Sequence, residues 1–176
     1  TLSFQIIFAT NSQRFQTLTY AMSLASVRQF FADRAPDIEV LVTETSSATV
    51  AEAAATHGVE PGRIAKTLSL RVSDRTFLVV TSGTARLDNR KVKAAFGGRA
   101  SMLGGEEVEA ITGHPVGGVC PFGLIAPLPV YLDISLKAFD EVVPAAGARN
   151  SAVRIKTSRM AELVDAHWVD VCTEPS

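Results

Sequence analysis

Lys66 is the residue whose position most needs a chemical explanation. It lies in the segment Ile64–Val72, which alternates like a half-buried strand, and it falls on the apolar side of that alternation. An ammonium group there loses hydration worth several kcal/mol unless an anion or water meets it. We therefore predict a cleft lysine that binds a phosphate or polarises a carbonyl group. The alternative is a lysine near a strand end whose stem reaches the surface.

A glycine-rich loop over residues 112–124 is the second candidate for chemistry. Gly113 and Gly118 have the spacing of a phosphate-binding loop, but Val119 and Cys120 follow where that motif needs a lysine and a hydroxyl residue. The sequence therefore excludes this nucleotide-binding motif. Glycines still let backbone N–H groups approach a ligand closely, which makes the loop a candidate cradle for a carbonyl or an oxyanion. A tight structural turn is the alternative.

Cys120 in this loop suggests a rival chemistry. Its thiol would be the nucleophile of a cysteine hydrolase if His114, six residues away, acted as the base. The alternative is a small buried apolar residue. His57 and His167 lie on separate predicted elements without metal-ligand spacing, and no Cys-x-x-Cys pair occurs. We therefore expect neither a metal site nor a cofactor.

Composition restricts the class of protein. The chain has 176 residues, 47% of them hydrophobic, with 17 Lys and Arg against 18 Asp and Glu. These values predict one globular domain with a substantial core, and they exclude the globally basic surface of non-specific nucleic-acid binders. The widely separated cysteines favour a reducing cytoplasm. A local basic patch is a candidate phosphate contact, with a solvated helix face as the alternative: Arg90, Lys91, Lys93 and Arg99.

The N-terminal segment has no features of a targeting signal. Its apolar run at residues 6–9 is too short for a membrane span or a signal-peptide core, and no basic segment precedes it. Helical periodicity begins at Ser23, a possible N-cap, directly after Met22. We therefore expect Met22 to be the natural start and residues 1–21 to be an upstream or non-native extension, with an added strand as the alternative. Residues 22–176 are then the single domain.

The remaining pattern alternates irregularly between helix and strand. Helices are predicted over residues 23–34, 47–57, 88–96 and 106–111, and from residue 158 to a buried His167. Strands are predicted over residues 38–42, 64–72, 76–81, 130–133, 141–143 and 152–156, the last two forming a hairpin. This order predicts an α/β fold with a mixed, strongly curved sheet and surrounding helices, rather than a doubly wound parallel sheet.

Four segments together resemble the YbaK and prolyl-tRNA-synthetase-associated editing domains. They are IAKTL at residues 64–68, LDNRKV at 87–92, GHPVGGVCPFGL at 113–124 and VYLD at 130–133. The resemblance extends from about Val40 to Val171. It implies a barrel-like mixed sheet and an enzyme that hydrolyses mischarged aminoacyl-tRNA in trans, without a metal.

The resemblance also implies roles for individual residues. Lys66 matches the family's essential lysine, and Gly117 and Pro121 match the ends of its Gly-x-x-x-Pro loop, whose backbone contacts the terminal adenosine and the acyl group. Asp133 matches a recurrent aspartate. Ser151 stands roughly where the synthetase-inserted form has a histidine that helps to discriminate the amino acid, so this departure leaves the specificity open.

Four further residues are candidates for substrate contacts. Gly113 and Gly118 would contribute through the loop backbone. Thr43 and Thr81 would contribute hydroxyl groups from the ends of two predicted strands, with capping or solvent contact as the alternative.

These observations lead to a prediction of function. The resemblance implies deacylation of mischarged aminoacyl-tRNA, with tRNA(Pro) carrying Ala, Cys, Ser or Thr as the expected substrate. Because an aminoacyl ester is activated, hydrolysis needs mainly a positioned water and donors for the oxyanion. The expected partners are the tRNA acceptor end and prolyl-tRNA synthetase, and no membrane. The alternative is a non-catalytic module that binds tRNA ends or a synthetase.

Overall fold

A computed structural model describes residues 22–173, so the expected extension at residues 1–21 lies outside the described residues. These residues form five helices: α1 (residues 22–34), α2 (Val50–His57), α3 (Asn89–Phe96), α4 (Gly105–Thr112) and α5 (Thr157–Leu163). Two short 3₁₀ helices cover Pro61–Arg63 and Ile134–Ala138. Among the helices of residues 22–173, none has the length and apolar character needed to cross a membrane.

The strands are short except for one central hairpin. They are β1 (Leu41–Val42), β2 (Ile64–Val72), β3 (Arg75–Ser82), β4 (Arg86–Leu87), β5 (Ser101–Met102), β6 (Val130–Asp133), β7 (Glu141–Pro144), β8 (Ser151–Ala152), β9 (Ile155–Lys156), β10 (His167–Val169) and β11 (Cys172–Thr173). The hairpin joins β2 and β3, which pair antiparallel from Ala65–Ser82 to Val72–Arg75.

The main sheet has the mixed topology that the sequence predicts. Its seven strands follow the order β10-β6-β3-β2-β7-β9, with β5 pairing the edge of β2. The pairs β3–β6, β6–β10 and β2–β7 are parallel, whereas β2–β3, β2–β5 and β7–β9 are antiparallel. The sheet curls into a half-barrel, which confirms the curved α/β fold.

The two faces of the sheet have different cores. On one face, Val27 and Phe31 of α1 pack with Leu78 and Val80 of β3 in the larger hydrophobic cluster. On the other face, residues of β2 and β3 pack against α3 through Val92 and Phe96. Because successive strand residues point to opposite faces, Ala65 of β2 joins the first core, whereas Leu70 and Val72 join the second.

Local sequence signals explain the ends of the helices. Thr49 caps α2 and forms a reciprocal capping box with Glu52, and Gly58 ends the helix at a φ of 63°. The predicted start at Ser47 is therefore wrong by three residues, because Thr49 is the residue whose hydroxyl accepts from the first turn. Asp88 caps α3 as predicted, with its carboxylate accepting two backbone N–H bonds.

Four other expectations about elements are wrong. The strand predicted over residues 152–156 is two strands, β8 paired with β1 and β9 paired with β7. Ser23 lies within α1 instead of capping it, and its hydroxyl contacts a buried histidine. The strand predicted from Ile38 shortens to β1, because only Leu41 and Val42 find a partner strand, in β8. His167 is exposed on β10 and is not buried by α5, since the helix ends at Leu163 and the chain then returns to the sheet.

Candidate active site

A cleft with a volume of about 220 Å³ opens beside β2. Its walls come from residues 47–50 ahead of α2, from β2, from residues 102–103 with Val108, and from the glycine-rich loop. Ser151 and Ala152 of β8 complete the wall. The lining is mainly apolar with a few polar groups, which is the usual composition of a small-molecule site.

The pairing of β2 explains why the cleft opens at this place. On the edge away from β3, β7 pairs with Ile64 and Ala65, and β5 pairs with Leu70 and Arg71. Among the described strands, none pairs residues 66–68 on that edge. The two neighbouring strands therefore diverge around the middle of β2, and the cleft occupies the gap between them.

Lys66 lines this cleft, and its ammonium is anchored by backbone carbonyl groups. The Nζ atom donates to the carbonyl oxygens of Ala85 at 2.5 Å and Gly83 at 3.3 Å, in the turn after β3. The side chain is half-buried. These two acceptors replace part of the lost hydration, so neither an unpaired ammonium nor a stem that simply reaches the surface describes this lysine. The anchoring fixes a positive charge beside the cleft.

Gly117 brings the glycine-rich loop against the opposite wall. Its φ of +91° is a conformation that favours glycine, and an added Cβ would lie 2.8 Å from Cβ of Ala48 and 3.1 Å from Cγ of Arg149. The loop therefore closes on residues 47–49 only with glycine at this position. Val116 and Val119 line the cleft on either side of it.

Ser151 also reaches the cleft, but its hydroxyl already has partners. The Oγ atom accepts from the N–H of Ala148 at 2.9 Å and donates to the carbonyl of the same residue at 3.2 Å. Among the sequence-predicted site residues, the structure thus brings together Lys66, Gly117 and Ser151.

The other loop positions lie outside the cleft wall. Gly118 packs its backbone against residues 147–148, where an added Cβ would come within 2.7 Å of the Ala148 nitrogen. Gly113 ends α4 at a φ of 77°, and Pro121 is buried. These three residues shape the loop from behind.

The predicted polar positions away from the loop also make structural contacts. Asp133 is buried, and its carboxylate accepts from the backbone N–H groups of Ser135 at 3.0 Å and Val171 at 2.8 Å. Thr43 donates to backbone carbonyls in the turn regions beside β1 and β8. Thr81 faces Lys66 across the β2–β3 pair, and its hydroxyl donates to the carbonyl of Ser82.

Cys120 and His114 lie in the core, and their geometry contradicts a cysteine hydrolase. His114 Nε2 lies 2.7 Å from the carbonyl oxygen of Phe122, so this nitrogen is the donor, and Nδ1 accepts from the Ser23 hydroxyl at 2.6 Å. The imidazole therefore has no lone pair directed at the Cys120 sulfur, 3.6 Å from Nε2. Burial raises the pKa of the Cys120 thiol to about 12, which keeps it protonated at neutral pH.

The basic patch around α3 is partly neutralised. Lys91 Nζ lies 2.7 Å from a carboxylate oxygen of Asp170 and also donates to the carbonyl of Cys172. The hydrogen bond to Asp170 raises the pKa of Lys91. This lysine holds the C-terminal segment against α3, whereas Lys93 is exposed.

Thr67 and Ser69 are among the residues of the cleft wall that sequence reasoning missed. Both residues line the cleft, and both hydroxyl oxygens are buried without a hydrogen-bond partner within residues 22–173. The alternation assigned them to the polar side of β2, and that was the only signal available. Across the same described residues, no group of three or more His, Cys, Asp or Glu side chains is arranged to hold a metal ion.

A family model and two curated relatives match this chain. The family model described as "Aminoacyl-tRNA editing domain" matches residues 44–163. The chain is 48% identical over 155 residues to the Bacillus subtilis protein YwhH, covering 87% of this chain and 99% of YwhH. It is 30% identical to an Enterococcus faecalis protein named "Putative Cys-tRNA(Pro)/Cys-tRNA(Cys) deacylase EbsC", covering 66% of this chain and 73% of that protein.

A solved structure shares the fold. It is described as a "putative trans-editing enzyme for prolyl tRNA synthetase" and superposes with a TM-score of 0.79 at 32% sequence identity. The match covers 88% of this chain and 98% of the other.

Proposed function

The chain belongs to the aminoacyl-tRNA editing domain family, and on that premise we propose that it is a deacylase that hydrolyses mischarged tRNA in trans. The proposed substrate is tRNA(Pro) carrying a small wrong amino acid, namely alanine, cysteine, serine or threonine. The observation that carries the proposal is that one cleft is lined by both Lys66 of β2 and the glycine-rich loop. We place the activity in the cytoplasm.

The size and lining of the cleft support a small acyl group. A volume of about 220 Å³ with walls from Val50, Ile64 and Val143 suits a short side chain and its ester. The tRNA body would remain outside, with only the acceptor end entering. Arg149 lies at the loop beside Gly117, its Nε donating to the Val116 carbonyl at 3.0 Å, where its charge favours a nearby phosphate.

The proposed mechanism uses water as the nucleophile. Water attacks the ester carbonyl carbon, the C–O bond to the ribose breaks, and the ribose oxygen leaves with a proton. In this proposal Lys66 supplies a fixed positive charge that favours the developing oxyanion or an adjacent phosphate, and the backbone at Gly117 positions the ester. A ribose hydroxyl of the terminal adenosine helps to orient the water. No protein nucleophile is required.

The test is a deacylation screen with purified protein at micromolar concentration. tRNA(Pro) charged with alanine, cysteine, serine, threonine or proline is incubated with the protein, and the remaining ester is followed over time. We expect at least one of the four mischarged substrates to be hydrolysed well above the background rate, while prolyl-tRNA(Pro) persists. Background rates for all four would contradict the proposal.

The same screen separates the enzyme from a non-catalytic module. A module that binds tRNA ends or prolyl-tRNA synthetase would form a complex, measured by a mobility shift or by gel filtration, without accelerating the loss of any ester. Hydrolysis under conditions of single turnover, with the protein in excess, would exclude that alternative.

A further inference from the structure

The two unpartnered hydroxyls of the cleft wall are candidates to bind a polar group of the substrate. Ser69 is only 4% exposed, yet its Oγ atom has no hydrogen-bond partner within the described residues, and neither has Oγ1 of Thr67. Buried polar side chains are nearly always hydrogen-bonded, because an unmade bond is costly. Both residues line the cleft, so a bound group is the natural partner.

Their positions on β2 define which part of a substrate they meet. Thr67 and Ser69 are two residues apart and share one face of the strand, about 7 Å apart along the chain. Ser69 adjoins β5, because its carbonyl accepts from the N–H of Leu103 at 3.1 Å, whereas Lys66 lies towards β7. A group that reaches Ser69 therefore belongs to the part of the acyl moiety directed away from the lysine.

The chemistry of the pair selects a hydroxyl group. Each serine or threonine hydroxyl donates one hydrogen bond and accepts others, so a substrate hydroxyl can act as both donor and acceptor towards them. The α-ammonium group is common to every aminoacyl ester and cannot discriminate between them. Alanine would leave both protein hydroxyls unpaired in an apolar cleft, and the cysteine thiol is a weak donor and acceptor.

We propose that Ser69, together with Thr67, is a specificity-determining residue that binds the side-chain hydroxyl of the acyl group and favours the hydroxyl-bearing amino acids, serine and threonine, over alanine and cysteine. This inference rests on the proposed deacylase function. It assigns amino-acid selection to β2, in addition to the position of Ser151 that the resemblance indicated.

The test compares kcat/KM for seryl-tRNA(Pro) and alanyl-tRNA(Pro). The wild-type protein should prefer the seryl ester by at least about tenfold, and Ser69→Ala should reduce the preference to within about twofold, because seryl hydrolysis falls more than alanyl hydrolysis. The control is Ser101→Ala, an exposed serine on the adjacent β5, which should retain the preference. Thermal stability of Ser69→Ala should not fall, because the hydroxyl loses no partner.

Loss of both activities by the same factor in Ser69→Ala would indicate a purely structural role and overturn the inference, as would a wild-type preference for alanine. If the wild type hydrolyses none of the four mischarged tRNA(Pro) substrates, the proposed function fails, and binding then decides the inference alone. Calorimetry with non-hydrolysable 3′-seryl-amino and 3′-alanyl-amino analogues of 3′-deoxyadenosine should show a seryl preference that Ser69→Ala removes. Equal wild-type affinities, or no binding of either analogue, would overturn it.

Discussion

The cleft beside β2 and the buried cluster around His114 both contain side chains of reactive types, and the two regions differ in hydrogen bonding. In the cluster, both imidazole nitrogens have partners and the thiol is enclosed. In the cleft wall, the hydroxyl groups of Thr67 and Ser69 have no partner among the described residues. Cys120 and His114 therefore have a structural role, whereas the hydroxyl groups of Thr67 and Ser69 belong to the candidate site. Unmet hydrogen-bonding capacity in an accessible cavity is the better guide to function.

The largest effect on activity is expected from a change in the glycine-rich loop where it lines the cleft. Gly117→Ala should lower deacylation by at least about tenfold, because its Cβ would clash with Ala48 and displace the loop. The positive φ adds a stability cost of about 1–2 kcal/mol. The measurement is single-turnover deacylation together with denaturant unfolding.

Gly97→Ala is the matched control for this change. Gly97 has a φ of +80°, but an added Cβ meets nothing within 4 Å, and the residue ends α3 away from the cleft. It should show a similar stability cost with full activity. Adding Ala48→Gly to Gly117→Ala should restore part of the activity, and a complete failure of this rescue would contradict the assigned contact.

The buried cluster predicts a dependence of stability on pH. Burial lowers the pKa of His114, and burial together with the nearby Arg154 charge lowers that of His57. The unfolded chain therefore binds more protons, so the free energy of unfolding should fall as pH decreases below about 6.5, the ordinary histidine value. Denaturant unfolding between pH 8 and pH 5 tests this. Constant stability over that range would contradict the closed, neutral cluster.

Cys120→Ala tests whether the buried cluster takes part in the reaction. We expect deacylation within about twofold of wild type, because the protonated thiol takes no part in the reaction. Stability should fall by about 1 kcal/mol through the small cavity left in the core. Loss of activity without loss of stability would restore the cysteine hydrolase.

The smallest effect is expected at the basic patch. Lys91→Glu should reduce stability slightly by placing a carboxylate beside Asp170, and it should change tRNA affinity by less than about twofold because this charge is already paired. Lys93→Glu, at an exposed position on the same helix, provides the comparison. A large and salt-dependent loss of affinity in Lys91→Glu would show that phosphates compete successfully with Asp170.

The sequence predicted most of the fold because its local signals agree with each other. Alternation defined β2 and β3, Asp88 and Gly97 marked the ends of α3, and the irregular order of elements indicated a mixed sheet. The predictions that are wrong concern elements whose ends or side-chain roles are set by tertiary contacts. The strand predicted over residues 38–42 shortens to β1 because only Leu41 and Val42 pair with β8. Ser23 does not cap α1, because its hydroxyl forms a hydrogen bond with His114, 91 positions away in the sequence.

The candidate site was predictable only in part, for the same reason. Lys66 and Gly117 stand out by residue type, and the family resemblance supplied their expected roles. The acceptors of the lysine ammonium, the ion pair of Lys91 and the unpartnered state of Ser69 depend on distant segments. A strand pattern shows which face a hydroxyl occupies, but it does not show what lies opposite that face.

The central claim is that the anchored lysine serves the reaction, and Lys66→Met tests it most directly. The measurement is single-turnover hydrolysis of the best mischarged tRNA(Pro), with Lys156→Met, an exposed lysine on β9, as the control. Methionine keeps the apolar stem and removes the charge, so activity should fall by at least about tenfold. Because the carbonyls of Gly83 and Ala85 lose a donor, stability should fall by about 1–3 kcal/mol while the protein remains folded at the assay temperature. A folded Lys66→Met protein that deacylates at the wild-type rate would contradict the account.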